Sequence, residues 1–173
     1  MEKTLHIFDN FFDNALYNEC YEYSISKIGS SENSFYTNHC WPPHLVKDSN
    51  LVLIHILSPD SVLHQKISDI IKIKCQIDKF SSIQFYYWTP GSHIPWHDDR
   101  SYNGGITIYL NKSWDEAWGG IFLYKDGDYI NGLYPKQNRS IMQCGCIPHS
   151  VPFNNTSVTD FTSTASYTWS FGN

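Results

Sequence analysis

Apolar and polar residues recur along this chain in two regimes, a helical spacing in the first half and short strand-like runs in the second. Residues 4 to 8 read as an opening strand. Asp13 then stands where a helix cap belongs, because its carboxylate can accept the unpartnered amides of a first turn. A helix is predicted from about Asn14 to Ile28, with Leu16, Cys20, Tyr23 and Ile28 on one roughly helical stripe and Gly29 with the following serines as its stop. Leu51 to Leu57 is a strand candidate. Ser58-Pro59-Asp60 has the form of a second helix start, a capping hydroxyl followed by proline at the first helical position. Val62, Leu63, Ile67, Ile70, Ile71 and Ile73 give that helix a broad apolar face suited to the outside of a sheet. From Ile83 onward only strands and turns are predicted, most clearly Ile83 to Trp88, Ile106 to Leu110 and a late strand through IPHSV. Helices first and then about eight short strands predict an α+β chain whose strands close into a two-sheet jelly roll, with the N-terminal helices on one face. Periodicity alone does not separate that jelly roll from another antiparallel sandwich.

Length and charge narrow the picture. A chain of 173 residues is the size of one domain and buries a real core, so a single domain over 1–173 is expected. Charged residues make up 17% of the chain, against a usual share of about a quarter, and aromatics 16%, which suits a strand-rich globular protein and not a disordered one. A net charge of −5 supplies no long-range attraction for nucleic acid or an anionic membrane, so neither is expected as a partner. Composition does not indicate an oligomeric state. Five cysteines form no regular framework, and Glu2, Asp9 and Asp13 interrupt what would be the apolar core of a signal peptide. No apolar run approaches the roughly 18 residues of a membrane span, and a soluble, reduced, cytoplasmic protein is the expectation.

The candidate chemistry lies in the stretch GSHIPWHDDR and in a histidine far downstream. The pair Pro90-Gly91 is a turn signal, so His97-Asp98-Asp99 is placed just past the end of the strand Ile83 to Trp88. IPHSV can return His149 to the same place. Two imidazoles and one carboxylate on one face of a metal form the facial triad of non-haem Fe(II) oxygenases, which leaves positions open for a co-substrate and O2. His-x-Asp by itself is a weak signal, since a solvated turn produces it as readily. Asp98 competes with Asp99 as the carboxylate, and His93 is a further ligand candidate, more simply read as a surface histidine. Cys144 and Cys146, two apart on the strand before His149, could suggest zinc, but no second paired Cys or His spacing accompanies them, so core cysteines are the simpler reading. Trp88, Trp96, Trp114 and Trp118 read as packing residues, and Trp169 as a pocket wall. Phe35 to His44 holds large aromatics that are either core anchors or a substrate-facing lid.

The run IYLNKSWDEAWGGIFLY, the Pro-Gly before His-x-Asp, PKQNRSIM before IPHSV and the terminal STASYTWSF together resemble the prolyl-4-hydroxylase group of 2-oxoglutarate, Fe(II)-dependent dioxygenases. The resemblance runs in order from about Phe85 to Phe171; the first 80 residues match only loosely, through IFDNFF and the helix after it. It implies a double-stranded β-helix, with Fe(II) held by His97, Asp99 and His149, and its spacing favours Asp99 over Asp98. It also implies 2-oxoglutarate as co-substrate, with Tyr109 assisting its binding, and ascorbate as an accessory reductant. A basic residue on the final strand should hold the far carboxylate, yet Ser163 occupies that place, and nothing between His149 and Asn173 is basic. Arg139, Lys112 or Arg100 can supply the charge from elsewhere, or the slot is rebuilt, because Ser163, Ala165, Tyr167 and Trp169 alternate onto one face and Tyr167 can fill the volume. The implied reaction is hydroxylation of a C–H bond, in a peptidyl proline or in a small molecule, with loops around Phe35 to His44 and Ser101 to Gly105 setting specificity. Two other classes stay open: a catalytically silent jelly-roll binding module, and a cupin-like metal enzyme that does not use 2-oxoglutarate.

Overall fold

A computed structural model describes residues 5–28, 49–50, 52–79, 81–89, 91–100, 103–152 and 164–166. Strand β1 (Leu5–Phe8) leads into helix α1 (Asn14–Lys27), whose start is set by Asp13: its carboxylate accepts the Leu16 amide at 2.8 Å. The helix buries Leu16, Tyr17, Cys20 and Ser24. Ile28, anticipated on the buried stripe, is instead the exposed C-terminal cap.

After strand β2 (Val52–Ile56), helix α2 (Val62–Cys75) begins three residues later than the Ser58 cap predicts. Ser61 is the cap. Its hydroxyl accepts the His64 amide at 3.1 Å and donates to the Ser58 carbonyl at 2.8 Å. Pro59 and Asp60 form the middle of a turn closed by the Ser61 amide on that same carbonyl; the fixed φ of proline suits a turn corner as well as a first helical turn. Leu63, Ile67 and Ile71, one turn apart, are buried, whereas Val62 and Ile73 fall off the face and are exposed.

The remaining elements are β3 (Gln84–Trp88), β4 (Ile94–His97), β5 (Gly104–Ile108), a single 3-10 turn (Glu116–Trp118), β6 (Phe122–Asp126), β7 (Tyr129–Leu133), β8 (Ser140–Cys144), β9 (His149–Val151) and β10 (Thr164–Ser166). The 3-10 turn departs from the expectation of strands and turns alone. Among the described residues every pairing is antiparallel, in the orders β1-β8-β5, β10-β3-β2 and β4-β9-β6-β7. Strand β10 also approaches β5, which brings the first two of these sheets edge to edge.

Side-chain alternation splits the apolar residues into two layers. Phe85 and Tyr87 of β3 and Ile106 and Ile108 of β5 pack with Phe11, Phe12, the buried stripe of α1 and that of α2 in one continuous core, so the helices cover one face. Burying each such Leu, Ile or Phe contributes about 1.5–3 kcal/mol. Tyr109, Ile141 and Phe122 form a second, inner cluster with Leu5, Tyr124, Leu133 and Val151 packed against it. Asn138 joins the layers: its side chain accepts from the Phe12 amide at 2.9 Å and donates to the Phe12 carbonyl at 2.7 Å. Strands β5 and β8 run so close that a Cβ on Gly104 would strike the backbone carbonyl of Gln143.

Candidate metal centre

His97 is the last residue of β4, and the β4–β9 ladder places it directly opposite His149. The expectation that His-x-Asp directly follows the strand Ile83 to Trp88 is corrected: a further short strand intervenes, with His97 as its last residue and Asp98 and Asp99 following it. Pro95 conceals that strand in the sequence, but β4 lies at a sheet edge with an irregular register between Ile94 and His97, where a residue without an N–H is tolerated. His149 sits between β4 and β6, opposite Tyr124, with the Phe122 ring stacked on it at 5.3 Å.

His97, Asp99 and His149 converge, their ligand-type atoms all within 4.8 Å of one another. The His97 Nε2 lies 4.0 Å from Asp99 Oδ1, and the His149 Nε2 lies 3.7 Å from Asp99 Oδ2. Each imidazole is oriented from behind. The His97 Nδ1 is 2.8 Å from the Pro95 carbonyl, and the His149 Nδ1 is 3.0 Å from the Ile147 carbonyl. A carbonyl only accepts, so each Nδ1 carries a proton and Nε2 is the ring nitrogen left to ligate a metal. Burial, and then the neighbouring His97, hold the His149 imidazole below the usual histidine range, which keeps it neutral. Two imidazoles with their Nε2 atoms towards a carboxylate are the donor set that a divalent transition metal takes, and carbonyl bonds to the outer nitrogens are the usual support for it.

Asp98 is turned away. Its carboxylate meets the Arg100 guanidinium at 2.9 Å and accepts the Arg100 amide at 3.3 Å, so Asp99 is the carboxylate of the cluster. His93 stands apart from the group, its amide bonded to Ser49 Oγ at 2.8 Å. Cys144 ends β8 while Cys146 lies in the turn that follows; they do not share a strand face, and both are only half-buried, which corrects their reading as core cysteines. Their sulfurs are 3.0 Å apart, outside the metal cluster.

Solved structures share this architecture, although no protein-family model and no curated protein matches the chain. A Pseudomonas putida prolyl-4-hydroxylase superposes with a TM-score of 0.75 at 14% identity, over 99% of this chain and 94% of that one. A prolyl hydroxylase from Trichoplax adhaerens, in complex with a hypoxia inducible factor oxygen degradation domain peptide fragment, gives 0.77 at 14% identity over 96% and 83%. HygX from Streptomyces hygroscopicus, with nickel and 2-oxoglutarate bound, gives 0.67 at 8% over 98% and 83%. The fold is that of the 2-oxoglutarate/Fe(II) oxygenases, in its prolyl hydroxylase-like form. In this oxygenase fold the helices pack on β3 and β5, and the histidines belong to the sheet β4-β9-β6-β7.

Tyr109 follows β5 and joins the inner cluster beside Phe122, the residue that stacks on His149; burial drives its hydroxyl well above the usual tyrosine range. Ser163, Tyr167 and Trp169 lie outside the described residues, as do Phe35 to His44 and residues 101 and 102. The three cations considered as substitutes for a basic residue at position 163 are all engaged elsewhere. Arg139 grips Asp9 through Nε at 2.7 Å and Nη2 at 3.2 Å, Lys112 lies 4.0 Å over the Tyr21 ring, and Arg100 pairs with Asp98. One residue of the site escaped the sequence reading: Gln143, whose Nε2 lies within 3.3 Å of both Asp99 and His149. The available signal was a lone amide on the same strand face as buried Ile141.

Proposed function

We propose that this chain is a non-haem Fe(II), 2-oxoglutarate-dependent dioxygenase that hydroxylates a C–H bond, with a peptidyl proline as substrate. The observation that carries this reading is the convergence of His97, Asp99 and His149 with both Nε2 atoms towards the carboxylate, on an oxygenase fold. As metal ligands they leave half of an octahedron for co-substrate and O2. Bound there, Fe(II) with 2-oxoglutarate would supply the activation of O2, which gives one oxygen atom to the C–H bond and the other to succinate as 2-oxoglutarate loses CO2, with ascorbate as accessory reductant.

The chain's own residues hold and shield that centre. Pro95 and Ile147 carbonyls fix the two imidazoles, and Phe122 covers one face of His149 against water. Tyr109, its hydroxyl kept protonated by burial, is assigned as a donor to the co-substrate, and Trp169 as a wall of the pocket. The peptide carried by the Trichoplax adhaerens neighbour supports a peptide substrate; HygX, which has a structure with hygromycin B bound, supports a small molecule.

A second reading is favoured by one observation, the engagement of Arg139, Lys112 and Arg100 elsewhere. A carboxylate held without a cation gives up about 1.5–3 kcal/mol, or roughly ten- to a hundredfold in affinity. Weak 2-oxoglutarate binding follows, or a binding module or cupin-like metal enzyme that does not use it. Metal analysis and succinate release, with and without 2-oxoglutarate and with proline-containing peptides plus ascorbate, separate them. Succinate release that depends on peptide supports the hydroxylase. Metal uptake without succinate supports the cupin-like enzyme or a binding module that keeps the metal, and loss of both supports a binding module without it.

A further inference from the structure

We propose that Gln143 is a positioning residue of the metal centre, holding the Asp99 carboxylate by one oxygen and keeping the ligand set in shape before the metal enters. This rests on the metal assignment made above. Along β8, Ile141 and Gln143 share one side, the inner one, and Gln143 is 6% exposed. A buried amide costs free energy unless its polar atoms are bonded, and an apolar residue of similar shape would fill the same space without that cost. The reason for a glutamine must then lie in what it touches.

Its Nε2 lies 3.3 Å from Asp99 Oδ2 and within reach of both ring nitrogens of His149, 3.1 Å from Nε2 and 3.3 Å from Nδ1, so it touches two separate ligand residues. The Ile147 carbonyl already takes the proton on His149 Nδ1, so His149 Nε2 is an acceptor, as is the carboxylate. Only the NH2 end of the amide fits there, since the carbonyl end would face two acceptors. The opposite end shows the consequence: Oε1 is buried and has no hydrogen-bond partner among the described residues. The amide therefore satisfies the metal ligands at its own expense. Held at Oδ2, Asp99 presents Oδ1, which faces His97 Nε2 at 4.0 Å. The strand cannot yield, because Gln143 pairs with Leu5 on one side and Gly105 on the other.

Gln143→Leu keeps the volume and removes both donors. Mn(II) binding, followed by the loss of the free-ion resonance signal, and melting of the metal-free protein are measured on the full chain. The expected result is Mn(II) affinity about ten- to a hundredfold weaker, with a metal-free melting temperature equal to or above the wild type, because the orphaned Oε1 has gone. The visible spectrum of the Co(II)-loaded variant should also change as Asp99 becomes free to bind through both oxygens. Mn(II) affinity within about twofold of wild type, with an unchanged Co(II) spectrum, overturns the inference whatever the melting temperature does. If the leucine variant does not fold, Gln143→Met is judged by the same criteria. If the wild type takes up no Mn(II), the metal assignment itself falls and this inference with it.

Discussion

His97 and His149 face each other as a register pair across the β4–β9 ladder, with ring centroids 4.2 Å apart. Each ring is bonded through Nδ1 to the carbonyl two residues before it. The same local device, used on two paired strands, aims both Nε2 atoms at Asp99.

Replacing His97 or Asp99 by alanine should take Fe(II) binding below detection in calorimetry, with the melting temperature nearly unchanged because neither residue belongs to an apolar cluster. Asp98→Ala should leave binding close to wild type, since its carboxylate is committed to Arg100. Equal loss from all three would mean that the carboxylate has been misassigned.

Asp9 supplies a pH-dependent contribution to stability. Hydrogen bonds from Arg139 and then Lys136 lower its carboxyl from 3.8 to about 2. A folded pKa below the unfolded one means that the stabilisation is fully present above about pH 4 and disappears as pH falls through about 2. The site is exposed enough for solvent to hold its worth to about 1 kcal/mol or less. Asp9→Asn should therefore melt up to about 2–4 °C below wild type at pH 7, and the gap should close towards pH 2. A gap that widens in acid would contradict the assignment.

Gly104→Ala should destabilise by about 1–3 kcal/mol, because the added methyl meets the Gln143 carbonyl, a backbone atom that cannot swing aside. Urea denaturation reads the effect as a lower midpoint at constant slope. Mn(II) affinity should fall with it, since β8 carries Gln143; an unchanged midpoint would show that β5 shifts freely.

The co-substrate anchor can be tested by restoring the absent cation. Ser163→Arg, combined with Tyr167→Thr to make room, should tighten 2-oxoglutarate on the Mn(II)-loaded protein by roughly ten- to a hundredfold, about 1.4–3 kcal/mol. Arg139→Ala should change that affinity by less than about twofold while lowering stability, because its guanidinium is held by Asp9. Tight wild-type binding that is lost in Arg139→Ala would place the anchor at Arg139, just before β8, instead.

Much was legible along the chain because it is governed by neighbours in sequence. A carboxylate at Asp13 can cap only the helix beside it, Leu63, Ile67 and Ile71 repeat at one turn, and Gln84–Trp88 is an uninterrupted strand former. Ser61 over Ser58 was not legible, since both offer a hydroxyl and the choice depends on how Pro59 and Asp60 turn.

The sequence by itself determined the ligand types, the His-x-Asp spacing and the family they resemble, because donor chemistry belongs to the side chain wherever it is placed. Only the tertiary structure decided that β4 is a strand, that Asp98 belongs to Arg100 and Asp99 to the histidines, that Arg139 is spent on Asp9, and that Gln143 reaches the centre. Each of these depends on which distant strand lies alongside, a matter of hydrogen-bond register and pleat, and a shift of one residue would have turned Gln143 to the helices and Met142 to the metal ligands.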